Sequence, residues 1–503
     1  MAPDDAPPRR SLAQSVFRDG ALYAVAGALG QAIGFILFPF LAHVFEPSDF
    51  GVVDLVVVIT TIVNLTVALE VSQGLGRHFA EARTLADKRA YASSAFTFSL
   101  LCYTGFCTLV VLFAVPLTDV LLGDDVAPGV MRIAAAAMFF NGLSYLAMDL
   151  LRWQLRPRAF ALATVGMMVG LTSSTAIYVL VLDWGVEGAI AGQVTGYIVG
   201  GTIAFTASRH LFRLHIDRAR LHEMLAYSLP LVPASTGVFF NGYADRLAIQ
   251  ARMTLGDVGL YGVGYRLSTI VGLTLIGFQG AMMPQILARH HEVDTPISLA
   301  RVFRLFCALA LTVWIAISTF GDEIIRVLTT PAYYGADAVV PYVVAAAFFA
   351  GMYIFAPGLN IAKRTKVFAS IAVSCGLLNL VLAFVLVGPL GIEGAALSFL
   401  LTQMIAFGSY MHFSQRIYPA PHEWRRLGIA AAVATGLTVL GWRLPPVDEH
   451  LWGLPAKLAV VALGVAFLAY WLTDGDERAM GRRVLAARLR RRAAEAPLTA
   501  TEA

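Results

Sequence analysis

Three ionisable residues stand inside apolar sequence, where charge is costly: Asp245, Arg246 and Arg266. Such a side chain at mid-membrane depth costs about 2.5–3.5 kcal/mol on insertion scales, so it is kept for pairing or for work. Arg266 falls eight residues into an apolar run beginning at 258, roughly 12 Å along a helix. Asp245 and Arg246 are sequence neighbours and leave a helix in different directions, whereas Asn241 and Asp245, four apart, share a face. The expected arrangement pairs Asp245 with Arg266 across two helices and leaves Arg246 free in a cavity. A guanidinium fork matches phosphate bidentately. Arg246 and Arg266, with Asn241 and Tyr265 beside them, are therefore candidates for binding a phosphate-bearing ligand, and Asp245 for taking up a coupling ion. A purely structural ion pair is the competing reading. Tyr243, Tyr261, Tyr265 and Phe240 either stack on sugar rings or simply pack. A second set flanks the first two apolar runs: Arg18, Arg77 and Gln31 as further substrate-binding candidates, Asp54 as a further ion-coupling candidate, with Asn64 adding polarity. Glu70 and Asp149 sit at the ends of their runs and read as structural. A cationic, aromatic cavity inside a lipid-facing shell suits a lipid-linked, phosphate-bearing sugar.

These residues need a frame to hold them. Of the 503 residues 58% are apolar and only 14% charged, against roughly a quarter charged in a soluble protein. No core absorbs so much apolar sequence while the surface stays wet, so lipid must be part of the solvent. Fourteen apolar runs are long enough to cross as helices: 20–42, 51–72, 91–116, 129–151, 159–182, 186–208, 223–245, 258–287, 303–320, 338–361, 367–388, 392–412, 427–443 and 455–473. Each approaches the ~20 residues that span ~30 Å of hydrocarbon. With the N-terminus inside, 30 of the 37 Lys and Arg fall on the inner side, and the outer loops are mostly acidic. That asymmetry predicts a multi-pass membrane protein with both termini cytoplasmic.

The frame divides. Gly185-Val186-Glu187-Gly188-Ala189 recurs 206 positions later as Gly391-Ile392-Glu393-Gly394-Ala395, and Asp49-Phe50-Gly51 recurs at an offset of 208 as Asp257-Val258-Gly259. The expected fold is an all-α polytopic membrane protein. It has two parallel six-helix repeats around a central cavity, plus two extra C-terminal helices. The segments are a tail 1–19, a first bundle 20–208, a linker 209–222, a second bundle 223–412, two further spans in 427–473 and a basic tail 474–503. Glycines at 188, 192, 196 and 200 form a stripe for close helix packing.

Other chemistries lack their marks. The four cysteines lie in apolar stretches without a CxxC pair, so neither a metal nor a redox role is expected. No Walker A, HExxH or GxSxG sequence occurs, which leaves ATP hydrolysis and the familiar hydrolases unsupported and no cofactor expected. No basic tract suggests nucleic acid. Leu225 through Tyr227-Ser228-Leu229-Pro230, Tyr243-Ala244-Asp245-Arg246 and Gly259-Leu260-Tyr261-Gly262-Val263-Gly264-Tyr265-Arg266, with Phe50-Gly51 and Tyr334-Gly335-Ala336, resemble the bacterial polysaccharide (oligosaccharide) flippases. That group shares a superfamily with MATE drug exporters and the lipid II flippase. The resemblance covers roughly 11–420 and implies that the chain is not an enzyme. It implies translocation of undecaprenyl-pyrophosphate-linked sugar units by alternating access, for O-antigen, capsule or exopolysaccharide. Lipid-linked oligosaccharide, membrane lipids and a polysaccharide polymerase or export machinery would be its partners. The alternatives are a cation-coupled small-molecule exporter of the same fold and a membrane polymerase or ligase of lipid-linked sugars. The latter calls for a long outer loop with catalytic side chains, and none is present in the sequence.

Overall fold

Without water a chain must satisfy its own backbone, and helices are the open-ended way to do so. The computed structural model describes residues 35–447, 452–475 and 477, with 25, 27–29, 32 and 33; the side chains at 273, 274, 276–281, 283, 284, 287 and 288 are outside that description. Arg18, Gln31, the tail 1–19 and the tail beyond 477 lie outside the described residues. Among the described residues there is no strand. The helices are α1 (Phe35–Val44), α2 (Pro47–Thr66), α3 (Val71–Glu81), α4 (Leu85–Leu112), α5 (Ala114–Leu121), α6 (Pro128–Trp153), α7 (Pro157–Ala176), α8 (Gly185–Ser208) and α9 (Arg218–Ser228). They continue with α10 (Val232–Arg252), α11 (Leu255–Arg289), α12 (Thr295–Thr319), α13 (Gly321–Leu328), α14 (Val340–Gly351), α15 (Gly358–Ile361), α16 (Thr365–Ile417), α17 (Trp424–Trp442) and α18 (Gly453–Trp471).

Nine helical stretches among the described residues are long and apolar enough to cross a membrane. One of them, α16, has 53 residues and would measure about 80 Å if straight. It is not straight. Gly391 has φ 59° and ψ −141°, a conformation open to glycine but strained for other residues. Gly394 then sits against the Leu386 carbonyl, so the chain doubles back. Two antiparallel limbs result, where two apolar runs were expected. The run 51–72 is broken as well. α2 ends at Thr66 and α3 starts at Val71, with Leu69 and Glu70 between them at φ 50° and 52°. Left-handed non-glycine residues cost of order 1–3 kcal/mol each, and Val67-Ala68-Leu69-Glu70 contains neither Gly nor Pro to announce the break.

The chain forms two compact units. One takes the described residues up to 290 and 324–418; the other takes 291–323 and the described residues from 419 onward. In the second unit α12 packs with α17 and α18 around Ile315, Ala430, Ala434, Val460 and Leu468. By position α12 falls in the stretch 223–412 expected to form the second bundle, but its contacts are with the last two helices. Lys457, 1% exposed, pairs with Glu323 in this unit, and Arg304 pairs with Glu423 at 2.6 Å, Glu477 at 3.0 Å and Asp474.

In the first unit the helix starts explain where the functional elements lie. At the start of α2, Glu46 and Asp49 form a reciprocal capping box; at the start of α11, 208 positions later, Thr254 and Asp257 do the same. Both boxes satisfy backbone N–H groups that a helix start leaves orphaned. The two helices then cross with nothing between their backbones. Gly51 lies on the Leu255 carbonyl and Gly259 on the Pro47 carbonyl, two contacts that exchange partners at the same 208-residue offset. α10 is fixed to α16 by another such crossing, Gly376 on the Gly237 carbonyl. Asn379 Nδ2 adds bonds to the carbonyls of Phe240 and Asn241, both at 3.3 Å. The glycine stripe of α8 meets Thr175, Leu171 and Met167 of α7, which is packing between neighbouring helices.

α9 opens on Asp217, whose carboxylate accepts from the N–H of Ala219 at 3.1 Å and of Arg220 at 3.2 Å, and from Arg220 Nη1 at 2.9 Å. The Arg220 backbone N–H, with the guanidinium beside it, holds the Asp217 carboxyl below its usual range. A depressed carboxylate pKa stabilises above the unfolded value of ~3.9 and stops doing so as pH falls through the folded value. Amide-exchange protection at the first turn of α9 is therefore expected to decline on acidification below about pH 4, and Asp217→Asn, which caps without charge, to abolish that decline. An unchanged profile in Asp217→Asn would remove the cap as its cause.

Candidate functional site

α2, α10 and α11 converge on a cavity of about 300 Å³. α2 contributes Asp54 and Val57; α10 contributes Gly242, Tyr243 and Arg246; α11 contributes Gly262, Tyr265 and Arg266. The capping boxes and the Gly51–Gly259 crossing set the register of α2 against α11, and Asn379 sets that of α10. Within this frame the polar groups are tied to one another rather than to solvent.

Arg246 is 6% exposed. Its Nη1 lies 3.4 Å from Asp245 Oδ1 and its Nε 3.5 Å from Asp54 Oδ2. Its guanidinium lies 4.4 Å from the Tyr265 ring centroid, 5.4 Å from that of Tyr261 and 5.6 Å from that of Tyr243. Arg266 Nη2 lies 3.4 Å from the other oxygen of Asp54, and its guanidinium is 4.6 Å from the Phe50 centroid and 5.0 Å from that of Phe38. Cations over desolvated aromatic faces gain roughly 0.5–2 kcal/mol each, part of the cost of holding them out of water. Asp245 is fully buried, accepts from the Tyr261 hydroxyl, and accepts from the Arg246 N–H at 2.9 Å.

The expected pairing is thus corrected. Arg266 meets Asp54, not Asp245, and Arg246 is not free. The i,i+1 argument followed the directions in which the two side chains leave the helix. The long Arg246 stem nevertheless folds back far enough for its guanidinium to reach the neighbouring carboxylate. Two guanidinium groups face two carboxylates, so the cavity is charge-balanced where a cationic one was expected.

Of the residues singled out by sequence, Arg246, Arg266, Tyr265 and Asp54 line one cavity, and Asp245 lies directly behind it. Asn241 turns toward α16: its carbonyl accepts from Asn379, and its own Oδ1 is buried without a partner. Arg77 is elsewhere, on α3, paired with Glu81 at 3.4 Å and 5.1 Å from the Tyr227 ring centroid. Asn64 accepts from the Tyr103 hydroxyl at 3.0 Å. Asp149 is buried against Arg152 at 2.9 Å. Phe38, Phe50 and Gly262 were not singled out as site residues. A signal for two of them was present: Phe38 precedes Arg246 by 208 positions, and Asp54 precedes Gly262 by the same number.

Residues 40–337 match the model of a family described as polysaccharide biosynthesis protein. A protein of the Lsg locus of Haemophilus influenzae is 20% identical over 316 residues, which is 60% of this chain and 74% of that protein. Among solved structures, the lipid II flippase MurJ in an inward closed conformation superimposes with a TM-score of 0.68 at 13% identity, over 89% of this chain and 98% of that one. An inward-facing multidrug resistance MATE family transporter of the MOP superfamily superimposes with a TM-score of 0.60 at 15% identity, over 77% and 94%. At such identities the structural likeness is one of fold.

Proposed function

The chain belongs to the polysaccharide biosynthesis protein family, and from that premise we propose that it is a flippase. Its cargo is an undecaprenyl-pyrophosphate-linked oligosaccharide, carried from the inner to the outer leaflet of the bacterial cytoplasmic membrane by alternating access. The carrying observation is the convergence of Arg246 and Arg266 on one cavity, both bordered by aromatic rings. Two guanidinium forks hold a diphosphate with directional bonds that a point charge does not make. Tyr243 and Tyr265 offer faces to the first sugar, and the polyprenyl chain stays in lipid. No covalent step is needed. At about 300 Å³ the cavity is at the lower end of ligand pockets, too small for an oligosaccharide, so cargo enters only when the helices around it part.

The proposed layout is six spans, six spans and two, with both termini cytoplasmic. The repeated capping box and the exchanged glycine contacts at an offset of 208 support the first two terms. The same fold also serves drug exporters, so a cation-coupled exporter is the second reading, and the phosphate chemistry of two arginines is what favours the first.

The test is complementation of a strain lacking this gene. Arg266→Gln removes one fork; Arg246→Lys keeps the charge that Asp245 needs but loses the fork. Each is expected to lower surface polysaccharide at least ten-fold, with normal amounts of protein in the membrane. Normal polymer in both variants would defeat the assignment, and altered drug sensitivity with normal polymer would favour the exporter.

A further inference from the structure

Asp54 does not behave like the other carboxylate at this site. Asp245 is fully buried and held by the Tyr261 hydroxyl and a backbone N–H. Asp54 lines the cavity with 16% of its side chain exposed. It gives one oxygen to each arginine, at 3.5 Å and 3.4 Å, well beyond the ~2.7–2.9 Å of a tight charged hydrogen bond. It comes from α2, whereas both arginines come from α10 and α11. Its carboxylate occupies the space that a Cβ on position 262 would fill, so glycine there is what admits it between the two guanidinium groups.

We propose that Asp54 is an exchangeable internal anion: it occupies the phosphate position of the empty carrier, and a diphosphate ligand expels it. This rests on the reading of Arg246 and Arg266 as a phosphate site. Charge supplies the reason for exchange. The empty set holds two cations and two anions. A diphosphate brings at least two further negative charges: with Asp54 kept the set would stand at two negative charges, with Asp54 expelled at one, and the smaller buried excess is the less costly. Asp54 is the member that can leave, being the loosely held one on the separate helix. The same arithmetic covers the empty return. A carrier that released its diphosphate with no substitute anion would have to close over an unmatched guanidinium. Asp54 lets it close. Selectivity follows, because a neutral or cationic ligand has nothing with which to displace a carboxylate from two guanidinium groups.

The experiment uses the full-length protein in nanodiscs of zwitterionic lipid, with inorganic pyrophosphate as the probe and isothermal titration as the readout. Asp54→Asn keeps the shape and removes the competing charge, and should bind pyrophosphate at least ten-fold more tightly than the unaltered protein. Asp54→Ala removes the carboxylate outright and leaves its space open to the ligand, and should tighten binding in the same direction, by at least three-fold. Unchanged or weaker binding by Asp54→Asn, including none, overturns the proposal. If Asp54→Asn yields no folded protein, Asp54→Ala decides by the same criterion. Arg266→Gln separates the two readings. Loss of binding there without a gain in Asp54→Asn defeats the exchange alone. Binding in Arg266→Gln equal to that of the unaltered protein defeats the phosphate site itself.

Discussion

Arg246→Ala is expected to destabilise the protein by about 3–5 kcal/mol, because breaking one member from a buried ion pair leaves the other uncompensated. The stranded group is Asp245, fully buried, with the Tyr261 hydroxyl and one backbone N–H as its remaining partners. Neither carries a charge. Asp245→Asn removes the same charge from the other end, leaving Arg246 with Asp54 at 3.5 Å as a charged partner and the Gly242 carbonyl at 3.5 Å as a neutral one. The double variant Asp245→Asn/Arg246→Ala leaves no unmatched charge at the pair and should recover most of the loss, so the two single effects should fail to add by well over 1 kcal/mol. Unfolding in detergent, followed by the fluorescence of the native tryptophans, measures all three. Additive losses would mean that the pair is not the unit of stability described above. Arg246 therefore serves two purposes, and its loss of function in an alanine variant is uninformative without the lysine variant proposed above.

The crossing of α2 and α11 should be the least forgiving contact in the first unit. An alanine Cβ at Gly51 would overlap the Leu255 carbonyl, and one at Gly259 would overlap the Pro47 carbonyl. Overpacking usually costs about 1–3 kcal/mol because side chains rotate away. A carbonyl in a helix cannot rotate away, so each alanine should cost at or above the top of that range and should also displace the cavity that α2 and α11 line. Surface polymer should fall at least ten-fold in each. Because the two contacts lie in one crossing, separation forced by the first alanine makes room for the second, and the double variant should cost less than the sum. Gly105→Ala, with nothing within 4 Å of the added carbon, is the matched control and should be neutral. Full function in both Gly51→Ala and Gly259→Ala would mean that the crossing tolerates separation.

Much of this architecture was legible because it depends on local composition. Runs such as 91–116 and 129–151 must be helical in lipid; α6 covers the second, and α4 follows the first to Leu112, with α5 taking it up again at Ala114. The break at Leu69 and Glu70 was not legible, since no residue there favours a left-handed turn. The arginines were found because charge in apolar sequence is conspicuous. Their partners were misassigned because Asp54 and Arg266 are 212 residues apart, and periodicity carries no information over that distance. Asp245 looked like the better partner only through nearness in sequence. The repeat offset makes positions 54 and 262 equivalent, but only the structure shows that these two touch. The placement of α12 with α17 and α18 had no comparable signal, because an apolar run does not say which neighbour it will choose.

Asp54 lies against Gly262, the position 208 residues further along the chain. Wherever two related halves meet at corresponding positions, a homodimer would have to place the same residue twice. Two aspartates there would set like charges in contact in a dry crossing; two glycines would leave the guanidinium groups without their bridge. Neither half could build this centre by associating with a copy of itself. The site takes Asp54 and Gly262 from segments 208 positions apart, and fragments divided between them should restore it only when the two different fragments are combined.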